Sequence, residues 1–150
     1  MASLTVTIQE ELTINGKDRG NTNTVTIDSV TETFNRVLTI TNTEQTVLEF
    51  QASRASGAAF VDGTLQYLRI TNLDSTNTVD LRIQDTTNSK EYFVRLASTE
   101  SYVMFNDRVD ANDDSDVDST ISMSQIEKIS ADATGSSGET ADIEIFAVAT

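Results

Sequence analysis

The sequence contains no cysteine, histidine, proline or tryptophan. Without cysteine the chain has neither disulfides nor thiolate metal sites. Without histidine it lacks the commonest zinc ligand and the commonest general base. The absence of proline argues against proline-rich linkers and a multidomain layout. No apolar run approaches the roughly 20 residues that span a bilayer, and the first residues lack the basic start and apolar stretch of a secretory signal.

Threonine and serine are abundant instead. The 150 residues fit one domain of ordinary size, and 23 of them are threonine and 15 are serine. Threonine is β-branched and suits a half-exposed pleated surface. Only 37% of the residues are apolar, but most of these fall in short alternating runs. The composition therefore indicates a sandwich with a thin core rather than disorder.

The alternating runs recur every 8–12 residues. The clearest is Val79, Leu81 and Ile83, with polar residues between them. Asn15-Gly16 predicts a tight turn, residues 17–23 are expected to form a longer loop, and residues 122–125 a short helical turn. The pattern predicts an all-β fold: a single-domain β-sandwich or jelly roll over residues 1–150, with about nine or ten short, mainly antiparallel strands.

Charge is the second strong signal. The chain has 24 acidic and 10 basic residues, a net charge of −14. Residues 1–106 carry a net −5 and residues 107–150 a net −9, so one end of the fold should be strongly negative. Such a molecule is repelled by nucleic-acid phosphate and by anionic membrane surfaces. Neither nucleic acid nor membrane is therefore an expected partner.

Residues 107–120 contain six aspartates, and alternating carboxylates can wrap a calcium ion. The calcium candidates are Asp110, Asn112, Asp114 and Asp116. The first three match the opening ligand positions of an EF-hand loop, but Ser115 stands where glycine is required and Ile121 where the bidentate glutamate is required. The favoured interpretation is a solvated acidic loop with no cofactor, and calcium binding is the alternative.

No catalytic motif is present. Glu10 and Glu11 are adjacent, so in a strand they point to opposite faces rather than toward one another. No serine lies in a G-x-S-x-G context, and without histidine a serine nucleophile would need a lysine base. The lysines, none of which lies in a supporting motif, are Lys17, Lys90 and Lys128. The sequence predicts that the protein is not an enzyme.

Two further groups of residues bear on the surface. Three arginines fall one per predicted strand and are expected to face outward as cross-strand partners of acids: Arg69, Arg82 and Arg95. An oligosaccharide-binding face usually presents aromatic side chains. The chain has no tryptophan and three tyrosines, Tyr67, Tyr92 and Tyr102. A carbohydrate-binding module is therefore a weaker alternative.

Two stretches resemble small virion proteins of tailed phages. Residues 68–77, 79–83 and 92–96 read LRITNLDSTN, VDLRI and YFVRL and look like a hairpin unit of those proteins. Residues 126–131 and 141–147 read IEKISA and ADIEIFA and are similar to their closing strand pair. The regions that contain these stretches, residues 65–105 and 126–147, together cover somewhat under half of the chain.

The resemblance implies a β-sandwich or jelly roll built into the particle, most often as a head decoration (cement) protein. The implied partners are the major capsid protein and copies of the chain itself, as a homotrimer, on the outer surface of the capsid. The docking surface is expected within residues 1–106, with residues 107–120 facing solvent. A tail, neck or fibre component that contacts the host is the alternative within the same class.

Overall fold

A computed structural model describes residues 2–51, 60–105, 108–110, 120–134 and 138–150. This part of the chain contains fifteen strands and one 3-10 turn, Met123–Gln125. The strands are β1 (Ala2–Gln9), β2 (Thr13–Ile14), β3 (Lys17–Asp18), β4 (Thr22–Val30), β5 (Glu32–Thr41), β6 (Gln45–Gln51), β7 (Phe60–Val61), β8 (Leu65–Asn72), β9 (Thr78–Asp85), β10 (Lys90–Leu96), β11 (Ser101–Met104), β12 (Arg108–Asp110), β13 (Thr120–Ser122), β14 (Lys128–Thr134) and β15 (Thr140–Ala149).

Two sheets form a β-sandwich, as the alternation predicts. One has five strands in the order β10-β9-β14-β6-β7 and the other has four in the order β11-β8-β15-β5. Three further antiparallel pairs lie outside these sheets: β1 with β4, β2 with β3, and β12 with β13. Among the described pairs, β6–β7 alone is parallel. The described strands exceed the expected nine or ten, since four lie in residues 2–30 and several others are only two or three residues long.

The core lies between the inner faces of the two sheets. Val79, Leu81 and Ile83 of β9 are fully buried, while the residues between them are half-exposed. Ile143 and Ile145 of β15 are also fully buried and belong to the same apolar cluster. Burying each side chain of this size stabilises the fold by about 1.5–3 kcal/mol relative to leaving it exposed.

A buried asparagine organises one end of the sandwich. The side-chain amide of Asn72 donates to the carbonyl oxygens of Asn77, Leu96 and Ala97 at 2.8, 3.3 and 3.0 Å. Its side-chain oxygen accepts from the backbone N–H of Asp74 at 3.0 Å. One fully buried side chain thus joins the β8–β9 connection to the end of β10.

The chain around Gly16 differs in part from the expectation. Asn15 and Gly16 form the expected tight turn, with φ angles of 52° and 74°. The prediction of a loop over residues 17–23 is wrong, because β3 begins at Lys17 and β4 at Thr22. β3 and the first three residues of β4, residues 22–24, contain no apolar residue, and their pairing partners lie upstream in β2 and β1. The spacing of apolar residues along the sequence does not reveal a strand that is held only by pairing with a neighbouring strand.

The stretches that carry the family resemblance divide between the two sheets. Residues 79–83 and 92–96 lie in β9 and β10, which form an antiparallel hairpin. The preceding stretch lies in β8, in the other sheet. Likewise, β14 and β15 belong to different sheets and are not hydrogen-bonded to each other. The final two long strands therefore close the sandwich from opposite sides.

Candidate interaction surface

Residues 2–30 form a β-ribbon that projects from the sandwich, called the arm below. Its shaft is the β1–β4 ladder, and its tip is residues 12–20, which fold back through the turn at Asn15-Gly16. Every residue from 7 to 26 except Gly20 is exposed. A strand rises about 3.3 Å per residue, so residues 7–15 correspond to roughly 30 Å of ribbon.

The two faces of the shaft differ in chemistry. Register partners share a face, and the pairs Leu4–Ile27 and Val6–Val25 make one face apolar. The opposite face carries polar pairs, namely Thr5–Thr26, Thr7–Thr24 and Gln9–Thr22. Leu4, Val6 and Ile27 are half-buried near the sandwich. Val25, directly across the ladder from Val6, is 38% exposed; farther out, Ile8 is 43% exposed and the tip residues Leu12 and Ile14 are 52% and 50% exposed.

The shaft is also unusual in charge. Residues 2–9 and 21–27 contain no charged side chain, although the molecule carries −14. The whole arm has four acids and two bases, a net −2, which leaves −12 on residues 31–150. Within the tip, Lys17 and Arg19 outnumber Asp18, so the tip alone is +1. The arm therefore has two uncharged stretches, two acids at its bend and a weakly cationic tip, on a strongly acidic body.

A glycine permits the bend between shaft and tip. The N–H of Glu10 donates to the carbonyl of Asn21 at 2.8 Å, and the N–H of Arg19 donates to the carbonyl of Leu12 at 2.7 Å. Between these two bonds Gly20 lies against the backbone of Glu10, and a Cβ at Gly20 would overlap that carbonyl oxygen. A residue with a side chain cannot occupy this position without moving the backbone.

The base of the arm lies over the outer face of the four-stranded sheet. Tyr67 and Val148 are register partners, 6% and 1% exposed, although both lie outside the core cluster between the sheets. Beside them, Leu4 and Val6 of the arm line an open groove of about 420 Å³ together with Phe146, Arg69, Asn35, Tyr67, Thr5 and Thr7. The ribbon thus covers part of this face and leaves a groove along its side.

The outer face of the five-stranded sheet is different, because it is covered by ion pairs. Arg82 contacts Glu91 at 2.6 Å and Glu44 at 3.2 Å, and Arg95 contacts Asp80 at 2.6 Å. On the other sheet, Arg69 contacts Glu144 at 2.7 Å. The expectation that these three arginines face outward and pair with acids is confirmed.

Asp132 is the carboxylate of this charged face whose ionised form is disfavoured. It lies directly opposite Asp80 in the β14–β9 ladder. Burial, and then the neighbouring carboxylates of Asp80 and Glu44, raise the pKa of Asp132, while Arg95 partly offsets the effect. Hydrogen bonding to Arg95 instead lowers the pKa of Asp80. The two facing carboxylates therefore differ because one of them has a guanidinium partner.

The four calcium candidates lie wholly or partly outside the described residues. Asp110 ends β12, whose backbone pairs with β13 through Asp110 and Thr120, and its side chain lies outside the described residues. Asn112, Asp114 and Asp116 also lie outside them. Within the described part of the chain, no three carboxylates are grouped so that they could hold a metal ion.

Glu10 and Glu11 lie at the bend of the arm, after the end of β1, and both are exposed. The side chain of Gln9 donates to Glu11 Oε1 at 3.0 Å. Together with Asp18 and neighbouring residues they line an open groove of about 520 Å³. The adjacent pair is thus part of an exposed bend.

A second groove, of about 440 Å³, lies beside Glu127. That carboxylate accepts hydrogen bonds from the hydroxyls of Thr86 and Thr87 and from the N–H of Thr87, the last at 3.1 Å. These three donors fix Glu127 against the β9–β10 turn. The oxygens of this carboxylate are therefore engaged in hydrogen bonds to that turn.

The three tyrosines do not form an exposed row: Tyr92 and Tyr102 pack against the core, and Tyr67 is buried on the outer face of the four-stranded sheet beside the base of the arm. The hydroxyls of Tyr92 and Tyr102 are 2.8 Å apart and join the edge strands β10 and β11 of the two sheets. Burial raises the pKa of both phenols, and the contact with Tyr102 raises that of Tyr92 further. Tyr67 packs edge-on against Phe146. Among the described aromatic residues, only Phe93 is largely exposed, at 66%.

The arm is the feature that the sequence analysis missed. A signal for it was available: an Asn-Gly turn flanked by uncharged stretches of threonine and alternating aliphatics. Among the described residues, no helix is long and apolar enough to cross a membrane. Comparisons with protein-family models, with curated proteins and with solved structures found no match for this chain. The fold and the arm therefore define it as an all-β sandwich with a projecting ribbon.

Proposed function

We propose that this chain is a non-catalytic structural protein of a virus particle, a decoration (cement) protein that binds the outer shell of a tailed-phage capsid. One observation carries the proposal: a long ribbon with one apolar face, uncharged over residues 2–9 and 21–27, projects from a strongly acidic sandwich. A surface of that kind is suited to contact with other proteins, because burying these two stretches removes no charge from water.

The uneven distribution of charge supports separate roles for the arm and for the acidic segment. The arm, at net −2, lies within residues 1–106, where the docking surface is expected, and the 107–120 segment adds seven charges of which six are acidic. In this proposal the arm and the adjacent sheet face contact the shell and sister copies. The acidic side faces solvent and keeps particles apart through like-charge repulsion.

The test is the number of copies of this chain per purified particle, measured by quantitative mass spectrometry against the major capsid protein. A ratio near one-to-one is expected for a shell decoration protein. A handful of copies would instead indicate a tail, neck or fibre component. Absence from particles would contradict both and return attention to a carbohydrate-binding module.

A second measurement concerns what the protein does on the particle. Particles that lack it should release their contents at lower temperature than wild-type particles, because shell contacts between neighbouring capsid subunits are lost. Adding the purified chain back should restore the release temperature. If depleted and wild-type particles are indistinguishable in both stability and surface density, the cementing role is wrong.

A further inference from the structure

We infer that the arm packs against a second copy of this chain, with the apolar face of its shaft lying on the outer face of the neighbour's four-stranded sheet. The inference rests on the proposed function only in that both require copies to associate. It is tested in solution, without particles, so its outcome is separate from the outcome of the particle experiments.

The first argument is that the arm is incomplete by itself. A two-stranded ribbon without a second layer is marginally stable in water. The arm's own sandwich covers the apolar face near Leu4, Val6 and Ile27, but Val25, opposite Val6, and Ile8, farther along the shaft, remain exposed. A second protein surface would supply the missing layer along the outer shaft.

The second argument is charge complementarity between the arm and the body. Residues 31–150 carry −12, so two copies repel each other over most of their surface. The uncharged stretches of the shaft, residues 2–9 and 21–27, are where they can approach without bringing like charges together. The tip, at +1 through Lys17 and Arg19, is attracted to the acidic body of a neighbour. Both features favour a sister copy as the occupant.

The third argument identifies the receiving surface. On the outer face of the four-stranded sheet, Val37 and Val103 are 59% and 40% exposed. Phe146 borders the open groove beside the arm, and the exposed carboxylate of Asp142 lies on the same face. The five-stranded sheet offers Phe93 but surrounds it with the ion pairs of Arg82 and Arg95, whereas the four-stranded face carries the described pair Arg69–Glu144 between Val37 and Val103. Burying the four-stranded face therefore removes fewer paired charges from water, which makes it the better match for the apolar face of the shaft.

Sedimentation velocity over a concentration series tests the association. The wild-type chain should form oligomers, and the double variant Ile8→Thr/Val25→Thr should associate at least about tenfold more weakly. Threonine keeps the strand propensity of both positions, so the ribbon should persist. The control Phe93→Thr removes an exposed apolar side chain from the other sheet and should associate like wild type. A monomeric wild type at every concentration, or equal association of the double variant and wild type, would overturn the inference.

The role of the tip charge is tested by a matched pair. Lys17→Glu and Lys128→Glu change the net charge by the same amount, but only Lys17 lies on the arm. Lys17→Glu should weaken association several-fold, by a factor that shrinks as salt is added. Equal weakening by both variants would show that net charge, rather than contact with the tip, sets the affinity, and would overturn the assigned orientation.

The absence of native cysteine allows the contact to be mapped by cross-linking. An Ile8→Cys chain mixed with a differently tagged Val37→Cys chain should give a mixed dimer with a short bismaleimide. Ile8→Cys mixed with Phe93→Cys should give far less, because Phe93 lies on the other sheet. If the two mixtures cross-link equally, or the Phe93 mixture does so more, the receiving face is not the four-stranded sheet.

Discussion

At the scale of single residues, Asn72 holds one end of the sandwich together through its side-chain hydrogen bonds, and its replacement should be costly. Its side chain satisfies three backbone carbonyls from two loops and one backbone N–H, all around a position that is fully buried. A hydrogen bond of this kind adds little net stability when made, yet leaving its partners buried and unpaired costs much more.

Asn72→Ala should therefore lower the free energy of unfolding by about 1–3 kcal/mol. The measurement is the midpoint of urea unfolding, with Asn23→Ala as control, because Asn23 is exposed on the arm. The control should change stability by less than about 0.5 kcal/mol. Equal effects of the two substitutions would contradict the assigned role of Asn72.

For Asp132 we predict the opposite effect on stability: its substitution should stabilise the protein. Its raised pKa means that its ionised form is less favourable in the folded state than in the unfolded state. The loss of stability is absent at pH values below the ordinary aspartate pKa, and it develops as pH rises through the raised pKa of the folded state. Asp132→Asn should thus stabilise the protein at neutral pH by about 0.2–1 kcal/mol, the size of a cross-strand charge contact.

The check is urea unfolding of Asp132→Asn and wild type across the acid range, where the two curves should converge as pH falls. Asp28→Asn removes an acid from the exposed arm, away from the Asp80 ladder. If it gives the same gain at neutral pH, the effect comes from net charge rather than from the facing carboxylates.

At the scale of elements, the arm depends on its two glycines in different ways. Gly16 sits in the turn with positive φ and open space around it, whereas Gly20 has the backbone of Glu10 against it. Gly16→Ala should cost about 1–2 kcal/mol of local stability, from the left-handed conformation alone. Gly20→Ala should cost more, because the ladder itself must move apart.

Amide hydrogen exchange separates these effects. Gly20→Ala should remove protection at Glu10 and Arg19, whose N–H groups bond across the bend, and leave protection in β9 and β14 unchanged. Gly16→Ala should affect mainly the tip. A smaller effect from Gly20→Ala than from Gly16→Ala would show that the bend adjusts readily.

The elements also show what the sequence could and could not reveal. The strands around Val79 and Ile143 were predictable, because each has one face in the core and the side-chain period follows from that burial. Strand β3 and the start of β4, residues 22–24, were not, because they contain only threonine, asparagine and charged residues and are held only by a neighbouring strand. The pairing of β14 with both β9 and β6 depends on contacts distant in sequence, which a local pattern does not carry.

The candidate site was predictable in its composition but not in its shape. The excess of uncharged residues near the start of the chain and the Asn-Gly turn are visible in the sequence. That these residues leave the sandwich, rather than add to a sheet, depends on which strand edges other parts of the chain already occupy. The division of β8 and β9, and of β14 and β15, between sheets has the same cause.

Over the whole molecule, the net charge of −14 is the dominant electrostatic feature. The few described ion pairs lie on the sheet faces, while the acids greatly outnumber the bases. Compacting such a chain brings like charges together, and salt screens their repulsion over about 10 Å at 0.1 M.

The melting temperature at neutral pH should therefore rise as salt is added from low ionic strength and then level off. Near the sequence pI of about 4.1 the same addition should have a much smaller effect, because the net charge is near zero. Differential scanning calorimetry at both pH values checks this. A melting temperature that falls with salt at neutral pH would mean that the ion pairs outweigh the general repulsion.

The junction between arm and sandwich has a mechanical consequence. A single residue, Thr31, joins β4 to β5, and β5 is paired with β15 along all ten of its residues. A pull transmitted through the arm along β5 would load these rungs together, in shear, instead of opening them one at a time. β15 is itself anchored to β8 on its other side. The arm is thus tethered to the part of the sandwich best able to bear a load.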